Sequence, residues 1–226
     1  MFMKSSSSRR LLVLWLALAG IGAVILVASL QQLHRSLLEE RTRVLEDRVR
    51  AAYQQVDNFH LLALNGDITR QQAQIAALST LRQLRYADDE YFWVLDDRGT
   101  VLMHAVLPDL EGAALAGISA NLDAAVQPVM SGMGRGFFEY QWPRVGDTLE
   151  VDKIGFLIHF DPWGWGIASS VYTDDINQAF WDEANNLILI GAILLAVLII
   201  FWFGFEKSLF MDMNDYRRSR DLADGR

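Results

Sequence analysis

The chain has 226 residues, enough for one domain of ordinary size with membrane segments but too few for two large soluble domains. A formal net charge of -8 and a pI near 4.9 disfavour a nucleic-acid partner, which calls for a basic face. The absence of cysteine excludes disulfides, thiolate zinc sites and a cysteine nucleophile. Hydrophobic residues make up 52% of the chain, with the excess concentrated in two runs.

The first run, LLVLWLALAGIGAVILVASL from Leu11 to Leu30, carries no charge. As a helix it extends about 30 Å, the thickness of a bilayer's hydrocarbon core. The second, LILIGAILLAVLIIFWFGF from Leu187 to Phe205, is equally apolar, and neither has the polar face of a soluble core helix. Lys4, Arg9 and Arg10 precede the first run, and Arg217, Arg218 and Arg220 follow the second. The positive-inside rule therefore puts both termini in the cytoplasm and the middle outside. A cleaved leader ending near Ala28 and Ser29 is the rival reading, but the run exceeds the roughly 7 to 15 apolar residues of a leader. Trp15, Phe201 and Trp202 are candidate interfacial aromatics, with Trp15 rather deep for that role. The expected division is a cytoplasmic N-terminus (1–10), a first span (11–30), an extracytoplasmic domain (31–186), a second span (187–205) and a short cytoplasmic tail (206–226).

Beyond the first run, Leu38, Val44, Leu45, Val49, Ala52, Val56 and Phe59 recur at helical spacing, so one long helix is expected to leave the membrane. Asn65, Gly66 and Asp67 interrupt it, and Thr69 with Gln72 reads as a capping box opening a second helix that ends near Tyr86. YFWVLDDRGTVLMH then reads as a hairpin turning at Asp97, Arg98 and Gly99. A loop with a short helix around Leu122 to Met130 follows, and then strands over 136–142, 153–160 and 165–172, separated by turns with Pro143 and Gly146, and Pro162 and Gly164. Asp174 and Asp175 sit where carboxylates suit the start of a helix, which continues into the second run. The expected fold class is α+β, a long N-terminal helix packed on an antiparallel sheet and flanked by two transmembrane helices.

The segments LRYADDEYFWVLDDRGTVLMH, PDLEG, GRGFFEYQWP and FDPWGWGIASSVYTDDI resemble, in order and spacing, the type-2 single-Cache domains of bacterial chemoreceptors and sensor kinases. The resemblance covers most of residues 31–180. It implies a five-stranded, PAS-like sheet with a small-molecule pocket facing the periplasm, in a protein of the bacterial inner membrane. Read onto matching positions, ligand-binding residues are Tyr91 and Trp93 of the first strand, His104 of the second, Tyr140 of the third and Lys153 opening the fourth. A cation, an imidazole and a phenol suit a short carboxylate, because charge-assisted hydrogen bonds exceed neutral ones in strength. Taken singly, the three aromatics also read as core residues with satisfied polar tips, and Lys153 as a solvated strand end. Four positions depart from the pattern: Ala105 replaces a proline, Gly155-Phe156 a Ser-Tyr pair, Ala168-Ser169-Ser170 a Gly-Thr-Gly, and the loop after Gly112 lacks an Asp-x-x-Gly element.

These features imply a membrane-anchored sensor whose helix from Asp175 into the second span reports binding to the cytoplasm. Residues 206–226 show no kinase or cyclase motif, so output is expected from a separate signalling partner met by that tail or from a region beyond it. The tail's mix of Leu209, Phe210, Met211, Met213 and Tyr216 with arginines suits anionic lipid, a docking partner or plain solvent equally. The alternative is a structural or assembly protein whose degenerate Cache-like domain binds a protein partner. An enzyme is not expected, since G-x-S-x-G, H-E-x-x-H and phosphate-cradling glycine loops are missing from the sequence. No cofactor is expected, and His34, His60 and His159 lack metal-ligand spacing. The apolar positions of the helix from Gln31 to Leu64 exceed what one small sheet covers, which predicts a homodimer.

Overall fold

The computed structural model describes residues 6–87, 90–144 and 146–223. Lys4 and the motif residues Asp88 and Asp89 lie outside the described residues, as do the side chains of Arg9, Arg10 and the whole tail. The chain divides into two units, residues 36–179 and residues 1–35 with 180–226.

The second of these contains the two apolar runs. They belong to helix α1, Ser6–Leu64, and to the terminal helix Thr173–Ala223, and both are long and apolar enough to cross a membrane. Their side chains, Leu14, Leu16, Ile25, Leu194 and Ile200 among them, are exposed. Trp15 packs edge to face on Trp202 with ring centroids 6.2 Å apart. A β-carbon at Gly191 would lie 3.2 Å from Leu26, so only a small residue allows that approach.

In the other unit, α1 buries Leu45, Val49, Ala52 and Val56 on one stripe, with Leu38 and Phe59 packed beside it. Val44 falls off the stripe and is exposed. The expected capping box opens α2, Arg70–Gln83: Thr69 Oγ1 accepts from the Gln72 amide at 3.2 Å, and Gln72 Oε1 accepts from the Thr69 amide at 2.9 Å. This helix stops three residues before the expected Tyr86, because Leu84 turns extended and leads into a short strand β1, Arg85–Ala87.

The sheet proper has five strands: β2 (Glu90–Asp96), β3 (Val101–His104), β4 (Arg135–Pro143), β5 (Glu150–Phe160) and β6 (Trp165–Tyr172). Their order is β3-β2-β6-β5-β4, antiparallel throughout, with β1 paired to the start of β2. Alternate residues of a strand face opposite sides, and both sides of this sheet are covered. Phe92, Val94, Phe156, Ile167 and Val171 pack with α1 and α2. Tyr91, Trp93, Leu95, Phe138, Tyr140, Leu157 and Ala168 pack with the segment between β3 and β4. That segment folds as two short helices, α3 (Leu115–Ile118) and α4 (Ala120–Pro128), followed by a π turn over Val129–Met133. A single helix was expected over 122–130; Pro128 instead closes α4, and the chain widens into the π turn. The last helix, α5, is Thr173–Ala223 and opens directly after β6 with Asp174 and Asp175 in its first turn.

Two of the four sequence departures have local reasons. Ala105 donates its amide to Phe92 O at 3.2 Å, a bond that proline would remove. Phe156 lies on the α1 face against Phe137, centroids 4.6 Å apart, so a missing hydroxyl there takes nothing from the opposite face. Gly155 lies under the Phe138 ring, and a β-carbon would overlap it. Gly155→Ala should therefore cost about 1–3 kcal/mol of stability by overpacking, read as a lowered unfolding temperature of the detergent-solubilised chain. Adding Phe138→Leu should restore part of the loss; an unchanged unfolding temperature in the single variant would contradict this packing.

Candidate ligand-binding site

The register of the strands assembles the site. Trp93 pairs with His104 on one side and Ala168 on the other, while Tyr140, Lys153 and Tyr172 sit side by side across β4, β5 and β6. Tyr91, Trp93, His104 and Tyr140 all line one enclosed cavity of about 20 Å³, with Val101, Leu110, Leu115, Ile118, Leu122 and Trp142 completing its walls. This is the space of about one water molecule. Lys153 is not in that wall. It lines an adjoining open groove of about 340 Å³ with Asn121, Glu139, Gln141, Asp152, Ile154 and Thr173, and Tyr140 belongs to both.

Lys153 is not the solvated strand end that its position in the sequence allowed. Its side chain is 1% exposed, with Nζ 3.9 Å from the centroid of the Tyr172 ring and 4.9 Å from that of Tyr91. Aromatic faces attract an ammonium electrostatically and stabilise it where water is excluded. Tyr91 also packs against His104, centroids 4.8 Å apart, so one ring touches both the cation and the imidazole.

His104 is fixed at both ends. Its Nδ1 accepts from the Leu107 amide at 2.9 Å and more weakly from Val106 at 3.4 Å, while its own amide donates to Glu111 Oε1 at 2.9 Å. Arg82 pairs with Glu111 at 2.7 Å and reaches the His104 carbonyl at 3.4 Å. Burial, then the Lys153 charge, lower the His104 pKa to about 4. The ring is neutral at pH 7, and with Nδ1 accepting, Nε2 carries the proton as a hydrogen-bond donor. Burial pushes the Tyr140 phenol well above its ordinary pKa, so it stays protonated, sharing a 2.7 Å bond with Ser170 Oγ. Ser169 Oγ donates to Tyr91 O at 2.9 Å.

Four participants escaped the sequence reading. Ser170 and Tyr172 lie two and four residues beyond Ala168 on the same face, but which face that is depends on register. Glu111 stands inside the PDLEG segment, where its ion pair with Arg82, 29 residues away, leaves no local signature. Arg144, which lines neither the cavity nor the groove and meets the site through the Tyr172 ring, follows the strand-ending Pro143 and reads as an ordinary loop cation. Away from the site, His159 bonds Asp97 and Asp161 at 2.7 Å each; burial opposes its charge, but these carboxylates outweigh burial and raise its pKa. Among the described residues no cluster suited to a metal is found.

Residues 37–186 match the family model for single Cache domain 2, and the chain belongs to that family. The domain is a sensory module of the kind carried by chemotaxis receptors and sensor kinases. The chain is 32% identical over 205 residues to the methyl-accepting chemotaxis protein McpP of Pseudomonas putida, covering 86% of this chain and 37% of that receptor. It spans 23% to 40% of the length of the curated relatives it matches. A solved periplasmic sensor domain of a chemotaxis protein is 37% identical with a TM-score of 0.56, covering 60% of this chain and 96% of that one. A second structure, described as showing the basis of carboxylic acid recognition by a Cache chemosensory domain, is 33% identical with a TM-score of 0.56, covering 62% and 97%.

The depressed His104 pKa has a consequence for stability. As pH falls, the unfolded chain takes up this proton near pH 6.5 and the folded chain only near pH 4, so stability is lost progressively across that window. The loss is on the order of 3 kcal/mol. His159, with its raised pKa, acts in the opposite sense, contributing stability below its unfolded pKa and losing it as pH rises. Unfolding of the wild type and His104→Gln compared from pH 4 to 7 should show a shallower pH slope in the variant; equal slopes would place His104 in solvent.

Proposed function

We propose that the domain senses a short monocarboxylate outside the membrane and that the chain transmits its binding to a cytoplasmic signalling partner. The observation that carries this reading is the convergence of Tyr91, Trp93, His104 and Tyr140 on one cavity, with Lys153 in the adjoining groove that shares Tyr140 and its ammonium 4.9 Å from the Tyr91 ring centroid. A carboxylate at the junction of cavity and groove would meet the Lys153 charge, the His104 Nε2–H and the Tyr140 hydroxyl. One cation matches one negative charge. The apolar walls of Trp93, Leu110, Leu115, Ile118 and Leu122 suit the methyl end of such an acid, while the nearby acidic side chains, Glu139 and Asp152, line the outer groove and not this cavity. The carboxylic acid recognised by the related Cache structure supports the same ligand class.

In this reading residues 11–30 and 187–205 are the spans, 31–186 form the periplasmic domain, and residues 1–10 and 206–226 are cytoplasmic. The chain works as a homodimer through α1, and the tail meets the output partner. Catalysis plays no part in the sensory domain.

Calorimetric titration of the full chain in nanodiscs should show saturable binding of acetate or propionate and much weaker binding of glycine. Lys153→Met should lower affinity by about tenfold or more, as for a lost charged hydrogen bond. Absence of saturable binding across these acids would favour the protein-partner reading. Orientation is tested separately: because the chain lacks cysteine, Thr148→Cys provides one thiol in an exposed loop. A membrane-impermeant maleimide should label it in intact spheroplasts, whereas labelling only after lysis would place the domain in the cytosol.

A further inference from the structure

The site is joined to the start of α5 by a chain of charged and aromatic contacts. Tyr172 is the last residue of β6, and α5 begins at Thr173. Its ring carries two cations: Lys153 Nζ at 3.9 Å from the centroid and the Arg144 guanidinium carbon at 4.1 Å. Its hydroxyl donates to Pro143 O at 3.1 Å, which ties the ring to the residue before Arg144. Arg144 Nη2 then donates to Asp174 Oδ1 at 2.8 Å and to Asp175 Oδ1 at 2.5 Å, both in the first turn of α5. Thr173 Oγ1 donates to Asp152 O at 3.0 Å, beside Lys153 in β5.

Asp174 and Asp175 are explained in the sequence by the helix dipole alone. In the structure they have a second role, as the far end of a clasp whose near end is the buried lysine. We propose that Arg144 is a positioning residue that carries the state of Lys153, through the Tyr172 ring, to the first turn of α5. This rests on the sensor reading above. When a carboxylate takes the Lys153 ammonium, the attraction between that ammonium and the Tyr172 ring weakens, because the charge is engaged elsewhere. The ring and its bond to Pro143 then settle differently, and Arg144, stacked on the same ring, moves its two aspartates with it. A planar guanidinium suits this task because it stacks and forks at once, which an ammonium does not. The two states differ in a contact that the ligand itself makes, as any coupling requires.

The test uses the full chain in nanodiscs with spin labels on Arg135→Cys, at the start of β4, and Gln178→Cys in α5. Propionate should shift the label-to-label distance distribution measured by pulsed electron resonance. In Arg144→Gln the affinity for propionate should change by no more than about fivefold, the lower end of ordinary coupling, while the shift falls by at least half. Arg144→Lys should be intermediate. An undiminished shift in Arg144→Gln overturns the proposal. Lys153→Met, which removes the cation without any ligand, supplies an independent arm: it should reproduce the shifted distribution in an otherwise unaltered chain and fail to do so beside Arg144→Gln. If the wild type binds no acid, the carboxylate reading falls, yet this arm still decides the clasp. A Lys153→Met chain with unshifted labels overturns it.

Discussion

A lysine held inside a small antiparallel sheet constrains everything around it, because a charge withdrawn from water needs compensating partners. Here the aromatic faces of Tyr91 and Tyr172 flank the Lys153 ammonium on the sheet face turned from α1 and α2. The same charge helps keep His104 neutral, so the imidazole serves as a donor and not as a second cation. Burial and this neighbouring charge together fix the protonation of the imidazole beside the cavity.

Support for that arrangement comes from outside the site. Arg48 of α1 pairs with Glu90 at the start of β2, fixing the strand that supplies Tyr91 and Trp93. The Arg82–Glu111 pair closes α2 onto the end of β3 and orients the His104 backbone. Ser170 satisfies the Tyr140 hydroxyl from β6. Gly155 makes room for Phe138, whose ring stacks on Tyr140 with centroids 5.6 Å apart. The site is thus held by contacts from α1, α2 and the neighbouring strands as well as by its own residues.

The long helices, the capping box at Thr69, the turn after Asp96 and the positions of the five main strands along the chain were legible in the sequence, because each leaves a local signal: periodicity, a cap pair, a glycine in the left-handed region at Gly99 with φ of 76°. Tyr91, Trp93, His104 and Tyr140, expected together from the resemblance, do line one cavity. The burial of Lys153 between the Tyr91 and Tyr172 rings, outside that cavity, was not legible, because it depends on how two aromatic side chains pack across strands far apart in sequence. Phe156 shows the same limit from the other side: it reads as a lost pocket hydroxyl, whereas alternation along β5 puts it on the opposite face. The ion pairs of Glu111 and Arg144 span about thirty residues each and have no short-range signature at all.

The sheet ends in Tyr172, and the helix that follows contains the second apolar run, so Lys153 packs on the residue that joins the site to that helix. The most direct measurement is the ammonium resonance of Lys153 in the nitrogen-15-labelled full chain, where Lys4 and Lys207 are the other lysines and serve as internal references. A slowly exchanging Lys153 signal that moves saturably with acetate, while the two references stay still, is the predicted result. A Lys153 signal that exchanges with water like the other two and ignores the acid would contradict the account.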